Sequence, residues 1–198
     1  MPITLYRGDT RTPDQIRTAK CFAPWVITTP DTGRAIILRC IVPRGPAPRL
    51  PPPANDTSLQ ILLDTAAPTL WDVLRNIKNE KTRRTVHVST DTSQDTGGYS
   101  SGYVYKMSFS LNVQALGTGP TTAVNDASQL ASTVKANVFF DAATLATSSL
   151  FGISGGPVDP GVEVAFLTTI PKAYITHYCD PGNTDPGSAT RPWKAFTQ

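Results

Sequence analysis

The chain has only two histidines and three cysteines among its 198 residues, and their placement excludes more than it offers. Cys21, Cys40 and Cys179 contain no C-x-x-C spacing, and His87 and His177 stand apart from them, which argues against a structural zinc site. The odd cysteine count leaves two arrangements open, one disulfide with a free thiol or three reduced thiols. No apolar run approaches the ~20 residues of a membrane span. The net charge of +3 is too small to imply nucleic-acid binding, and the basic thickening at Arg75, Lys78, Lys81, Arg83 and Arg84 reads first as a solvated face. There is no G-x-G-x-x-G dinucleotide fingerprint and no G-x-S-x-G nucleophile elbow. The stretch Gly152-Ile153-Ser154-Gly155-Gly156 lacks the lysine of a phosphate loop. The start, Met1-Pro2-Ile3-Thr4, has neither a basic n-region nor an apolar h-region. With a key arginine already at position 7, Met1 is read as an added start on a processed domain, so a secretion signal would lie outside this sequence. The sequon Asn55-Asp56-Thr57 carries little weight.

The length suits one domain with a substantial core, spanning residues 1–180, followed by a Pro/Gly-rich tail at 181–198 expected to be loosely ordered. Residues 3–7 favour a strand. Thr12 then reads as an N-cap with Pro13 at the first helical position and Asp14 favouring the helix dipole, so a short helix should follow. Residues 35–42 read as an apolar, buried strand. Six prolines between 43 and 53 predict an extended surface connection. Leu70, Val73, Leu74 and Ile77 share one helix face, as do Ala127, Leu130, Ala131 and Val134. Tyr103, Tyr105, Met107, Phe109 and Leu111 alternate as one face of a strand. Asp141 is placed to cap a helix through Leu150. Residues 151–161 form a loop rich in glycine and proline, and strands follow at 162–168 and 173–179. The class is α+β with mostly antiparallel strands.

Three separated segments carry chemistry: Leu5-Tyr6-Arg7-Gly8-Asp9-Thr10-Arg11-Thr12-Pro13-Asp14, then His87-Val88-Ser89-Thr90-Asp91, then Val162-Glu163-Val164-Ala165-Phe166-Leu167-Thr168-Thr169-Ile170-Pro171. Each has a plain structural reading. Arg7 and Asp9 could be a surface ion pair, and Ser89-Thr90 is ordinary strand composition. Glu163 is odder, because it shares a strand face with Ala165 and Leu167, where a charge needs a partner or a cavity. Cleaving the nicotinamide–ribose bond of NAD needs a carboxylate against the ribose, where positive charge develops, and a planar cation for the pyrophosphate.

Taken together, the segments resemble the cholera- and pertussis-toxin-like mono-ADP-ribosyltransferases over roughly residues 3–178. The first matches the aromatic-Arg-x-Asp-[Ser/Thr]-Arg-x-Pro strand at Tyr6, Arg7, Asp9, Thr10, Arg11 and Pro13, with Asp14 matching just beyond it. The second is similar to the Ser-Thr-Ser strand, with Asp91 in place of the last serine. The third matches the catalytic strand at Glu163-Val164, Leu167, Ile170-Pro171, Ile175 and Tyr178. Two departures stand out: the proline-rich insertion at about 43–53, and Gly161 where arginine-modifying members carry the first glutamate of Glu-x-Glu and others carry glutamine. Asp159 is near but out of register.

The resemblance implies an ADP-ribosyltransferase fold of two small, mainly antiparallel sheets around an NAD cleft, with NAD as substrate and no metal. It implies that Glu163 stabilises the oxocarbenium, Ser89 orients Glu163, and Arg7, Thr90, Tyr6 and Asp9 hold NAD. The loop bearing Phe151, Asp159 and Gly161 would face the acceptor. The expected protein is a monomeric toxin or effector, secreted or injected into a host cell, acting on a non-arginine acceptor in a host protein. An NAD glycohydrolase and a non-catalytic binding module are the alternatives.

Overall fold

The computed structural model describes residues 2–26, 29–41, 47–50, 58–65, 72–73, 76, 85–96, 99–115, 122–124, 137–154 and 163–197. The expected helices around Leu70 and Ala127, the basic cluster and the sequon fall wholly or mostly outside these residues, as do Asp159 and Gly161.

The N-terminal strand β1 (Ile3–Asp9) buries Ile3 and Leu5 and pairs along its length with β4 (Tyr103–Phe109). Helix α1 (Pro13–Ala19) follows, closed by a full capping box in which the Thr12 hydroxyl accepts from the Gln15 N–H and the Gln15 side chain accepts from the Thr12 N–H. Strand β2 (Cys21–Phe22) leads to α2 (Pro30–Ile41). Residues 35–42, expected as a strand, are therefore largely helical. A continuous apolar run does not distinguish a buried strand from a buried helix, and the start signal is upstream: the Thr29 hydroxyl accepts from the Thr32 N–H, Pro30 opens the helix and Asp31 pairs with Arg34. Ile36 and Ile37 are fully buried.

Helix α3 (Ser58–Thr65) sets Leu59 and Leu63 into the same core. Its buried Gln60 accepts from the Leu50 N–H and donates to the Pro48 carbonyl, which ties the described part of the proline-rich connection to α3. The remaining strands are β3 (Val88–Asp91), β5 (Leu111–Ala115), β6 (Thr122–Val124), β7 (Asn137–Phe140), β8 (Phe151–Ser154), β9 (Glu163–Phe166), β10 (Ile170–Pro171), β11 (Ile175–Cys179) and β12 (Lys194–Ala195). The single strand expected from Tyr103 to Leu111 thus breaks at Ser110 into β4 and β5. The helix expected after Asp141 is only a 3-10 turn at Leu145–Thr147. Thr144, Thr147 and Ser148 bond local backbone and one another, and Asp141 accepts from the Ser149 and Leu150 N–H groups, both of which compete with a helix.

Among the described residues ten strands form one sheet in the order β12-β11-β4-β1-β3-β9-β8-β7-β5-β6, with β2 and β10 as a separate antiparallel pair. This corrects the expected two small sheets, although the large sheet is nearly divided. Strands β1 and β3 meet through one register pair, Tyr6 opposite Asp91. On one side of the sheet α2 and α3 cover Val138, Phe140, Phe151, Ile153 and Ala165. On the other, Ile16, Phe22, Phe109, Phe139, Val164, Phe166 and Phe196 pack together. The fold is α+β and mostly antiparallel.

The C-terminal segment is not loose. Buried Arg191 donates to the carbonyls of Asp180, Thr184, Ser100 and Gly102, Phe196 is buried, and β12 pairs with β11. Proline and glycine here shape turns under a buried cation. Gly187, at φ +85°, lies against the Trp193 indole where a Cβ would come within 2.3 Å of Nε1. Cys21 and Cys179 are free thiols. Among the described residues no helix is long and apolar enough to cross a membrane.

Candidate active site

The three segments converge where the sheet nearly divides. Strand β3 pairs antiparallel with β9, so Ser89 lies opposite Ala165 and Asp91 opposite Glu163. Directly opposed residues on paired strands project to one side, so Tyr6, Asp91 and Glu163 make a row across β1, β3 and β9. A cavity of about 410 Å³ opens there, lined by Tyr6, Arg7, Gly8, Ser89, Thr90, Asp91, Thr96, Tyr99 and Glu163.

Within it the Ser89 hydroxyl donates to Glu163 Oε1 at 2.7 Å. The Arg7 guanidinium donates from Nη1 to the Ser89 carbonyl at 2.8 Å and from Nε to Asp9 at 3.2 Å, and it lies 5.4 Å from the Phe22 ring. Burial lowers the Arg7 pKa from its ordinary value, with the Asp9 charge opposing that shift. Arg7 is therefore both the ion-pair partner of Asp9 and a clamp on the strand that carries Ser89.

Asp9 has a different place from the one expected. Its carboxylate accepts from Arg7, from the Arg11 backbone N–H and from two nitrogens of the Arg11 side chain. Burial pushes the Asp9 carboxyl up, but the Arg11 hydrogen bonds and the Arg7 charge outweigh it and hold the pKa below the usual range. Asp9 thus fixes two guanidinium groups, with its oxygens turned to them. Thr90 lines the cavity, yet its hydroxyl donates to the Val164 carbonyl and only 2% of the residue is exposed. Tyr6 stands beside Trp193, ring centres 5.8 Å apart, and burial raises its phenol pKa.

Phe151 does not face an acceptor. It is fully buried in β8, paired with Phe140 and packed under α2 with the Arg34 guanidinium over its ring. Gly152 beside it is a strand residue for a packing reason, since a Cβ there would meet a Val164 methyl at 2.8 Å. A second cavity of about 580 Å³ shares Arg7 and Gly8 with the first and continues along Asp9, Thr10, Arg11, Ala23, Pro24 and Trp25, a residue 65% exposed.

Sequence reasoning missed Thr96 and Tyr99, which reach the cavity from the turn after β3. Thr96 has φ +52°, a conformation costly for a β-branched residue, so its propensity gives no signal for it. Among the described residues no cluster of three or more His, Cys, Asp or Glu could hold a metal. No family model and no curated protein matches this chain.

Proposed function

We propose that this domain breaks the nicotinamide–ribose bond of NAD and transfers ADP-ribose to a macromolecular acceptor, as a member of the cholera- and pertussis-toxin-like class with that class's fold. The observation that carries the reading is the linked set at one cavity: Arg7 on the Ser89 carbonyl, and the Ser89 hydroxyl on Glu163. A carboxylate held by a serine hydroxyl has its rotamer fixed, and an anion fixed against the ribose stabilises the developing oxocarbenium more than the ground state, in which the positive charge still sits on the nicotinamide ring. The guanidinium of Arg7 would meet the pyrophosphate, and the adjoining cavity at Trp25 would take the adenosine half. In this reading the protein is a secreted or injected toxin or effector and the acceptor belongs to a host protein.

The acceptor is a group that is uncharged at neutral pH, such as a Ser or Thr hydroxyl. A guanidinium has to lose a proton before it has a lone pair to offer, and Gly161 carries no side chain to take that proton. The test is nicotinamide release from NAD, alone and with a cell lysate and labelled NAD. Labelled protein supports transfer, release without labelling marks a glycohydrolase, and no release at all leaves only a binding module. Glu163→Gln should lower turnover about a thousandfold while NAD affinity and folding persist, the size typical of losing an electrostatic stabiliser. Retention of more than about a tenth of the wild-type rate would remove Glu163 from the catalytic role. Agmatine should be a poor acceptor, and arginine as the dominant linkage by mass spectrometry would overturn the acceptor class.

A further inference from the structure

Glu163 is not alone. Asp91 faces it in direct register from the neighbouring strand and lines the same cavity. Directly opposed residues lie close on one side of a sheet, so two carboxylates are brought to one cavity. The backbone supports this arrangement actively: the Ser93 N–H donates to Asp91 Oδ1 at 2.6 Å and so fixes the Asp91 carboxylate at the end of β3. An independent mark of a ligand sits beside it. Thr96, 8% exposed and lining the same cavity, has a buried hydroxyl with no hydrogen-bond partner among the described residues, on a backbone at φ +52°. Buried unpartnered hydroxyls and left-handed β-branched residues are both unfavourable and concentrate at binding sites.

From this geometry we propose that Asp91 is the general base of the transfer, and that it selects a hydroxyl acceptor. This rests on the NAD reading above. Group transfer at an anomeric carbon commonly divides its work between two carboxylates, one against the sugar and one on the nucleophile. Glu163, held by Ser89, takes the first role and Asp91 the second. The C1′–N bond of NAD breaks with its electron pair leaving on nicotinamide, which departs neutral. The acceptor oxygen donates a lone pair to C1′, and its proton passes to the Asp91 carboxylate. A hydroxyl has that lone pair before it is deprotonated and becomes acidic only as the bond forms, so a carboxylate can take its proton at that stage. A guanidinium must be deprotonated first, which such a base does poorly.

Azide separates the roles, because it attacks the sugar without a proton to lose. Nicotinamide release and ADP-ribosyl azide are measured for wild type, Asp91→Asn and Glu163→Gln, each with and without sodium azide. Asp91→Asn keeps an oxygen for the Ser93 N–H. It should lose about a hundredfold or more of transfer and hydrolysis, keep its KM for NAD within about threefold, and recover most nicotinamide release in azide as ADP-ribosyl azide. Glu163→Gln should not recover. Azide-restored activity is itself proof that the variant folds, and Asp91→Ser, which also keeps an oxygen, should behave alike. If Asp91→Asn retains more than about a third of wild-type transfer, or if both Asp91 variants melt like wild type yet are not rescued, Asp91 is not the base. Rescue of Glu163→Gln to the same degree also overturns the division of roles. If wild type itself releases no nicotinamide in either condition, the NAD reading fails and takes this one with it.

Discussion

Arg7 holds several contacts at once: Asp9 through Nε, the Ser89 carbonyl through Nη1, and the face of Phe22. A lysine has one nitrogen and no plane, so it can keep the ion pair or the carbonyl but not the fork and the ring contact together. Arg7→Lys should therefore raise the KM for NAD roughly tenfold or more, about 1.4 kcal/mol or above, and lower the melting temperature as well. A KM within twofold of wild type would make Arg7 a structural residue only. At this scale the candidate site was partly legible. Taken singly, only Glu163 in an apolar strand was chemically odd; Arg7 and Ser89 were chosen with it from the motif resemblance, and the three line one cavity. Asp9 and Thr90 were chosen by motif, but their polar atoms turn to Arg11 and to the Val164 carbonyl, and sequence spacing does not report which of several partners a short side chain selects. Phe151 was misplaced because a glycine-rich run reads as a loop. Gly152 is small there because Val164 and Phe166 pack across it.

Among the elements, the two best-defined helix starts share one local code. Thr12-Pro13-Asp14 opens α1 and Thr29-Pro30-Asp31 opens α2, each with a threonine hydroxyl accepting from a backbone N–H three residues on and an aspartate paired to an arginine three residues on. The first was legible and the second was overridden by the apolar run Ala35-Ile36-Ile37-Leu38, which looks like a strand until its cap is counted. Because α2 covers Phe151 and Ile153 on the strand beside β9, its start matters to the site. Thr29→Ala should cost about 1 kcal/mol, seen as a lower urea midpoint with an unchanged slope, while Thr29→Ser should be close to neutral. Equal losses for both would mean that the hydroxyl is not the cap. Strand register lies beyond such local codes. That Tyr6 meets Asp91 and Asp91 meets Glu163 depends on pairing across gaps of many residues, which no window of sequence contains.

At the scale of the whole molecule, the C-terminal segment braces one side of the cleft. The near-division of the sheet between β1 and β3 makes the cleft but weakens the join, and the tail compensates on the β1 side. Arg191 draws the carbonyls of Ser100 and Gly102, in the turn that follows Thr96 and Tyr99, toward those of Asp180 and Thr184. Trp193 leans on Tyr6, Phe196 fills the core beside Tyr105, and the Arg17 side chain donates to the Thr197 carbonyl. Composition pointed the other way, since prolines and glycines usually mark loose ends. Here the signal lies in one arginine and two aromatics, whose partners are distant in sequence. Deleting residues 181–198 removes a buried phenylalanine and a guanidinium bonded to several carbonyls, together roughly 4–6 kcal/mol. For a domain of this size the melting temperature should fall by roughly 10–20 °C. Arg191→Met, which keeps the bulk and removes the donors, should give a smaller drop of the same sign. Because the tail braces both Tyr6 and the turn over Gly8, the Arg191→Met variant should also show a raised KM for NAD at temperatures where it remains folded. A deletion melting within about 2 °C of wild type would mean that the tail is an appendage and that β1 and β3 hold the cleft by themselves.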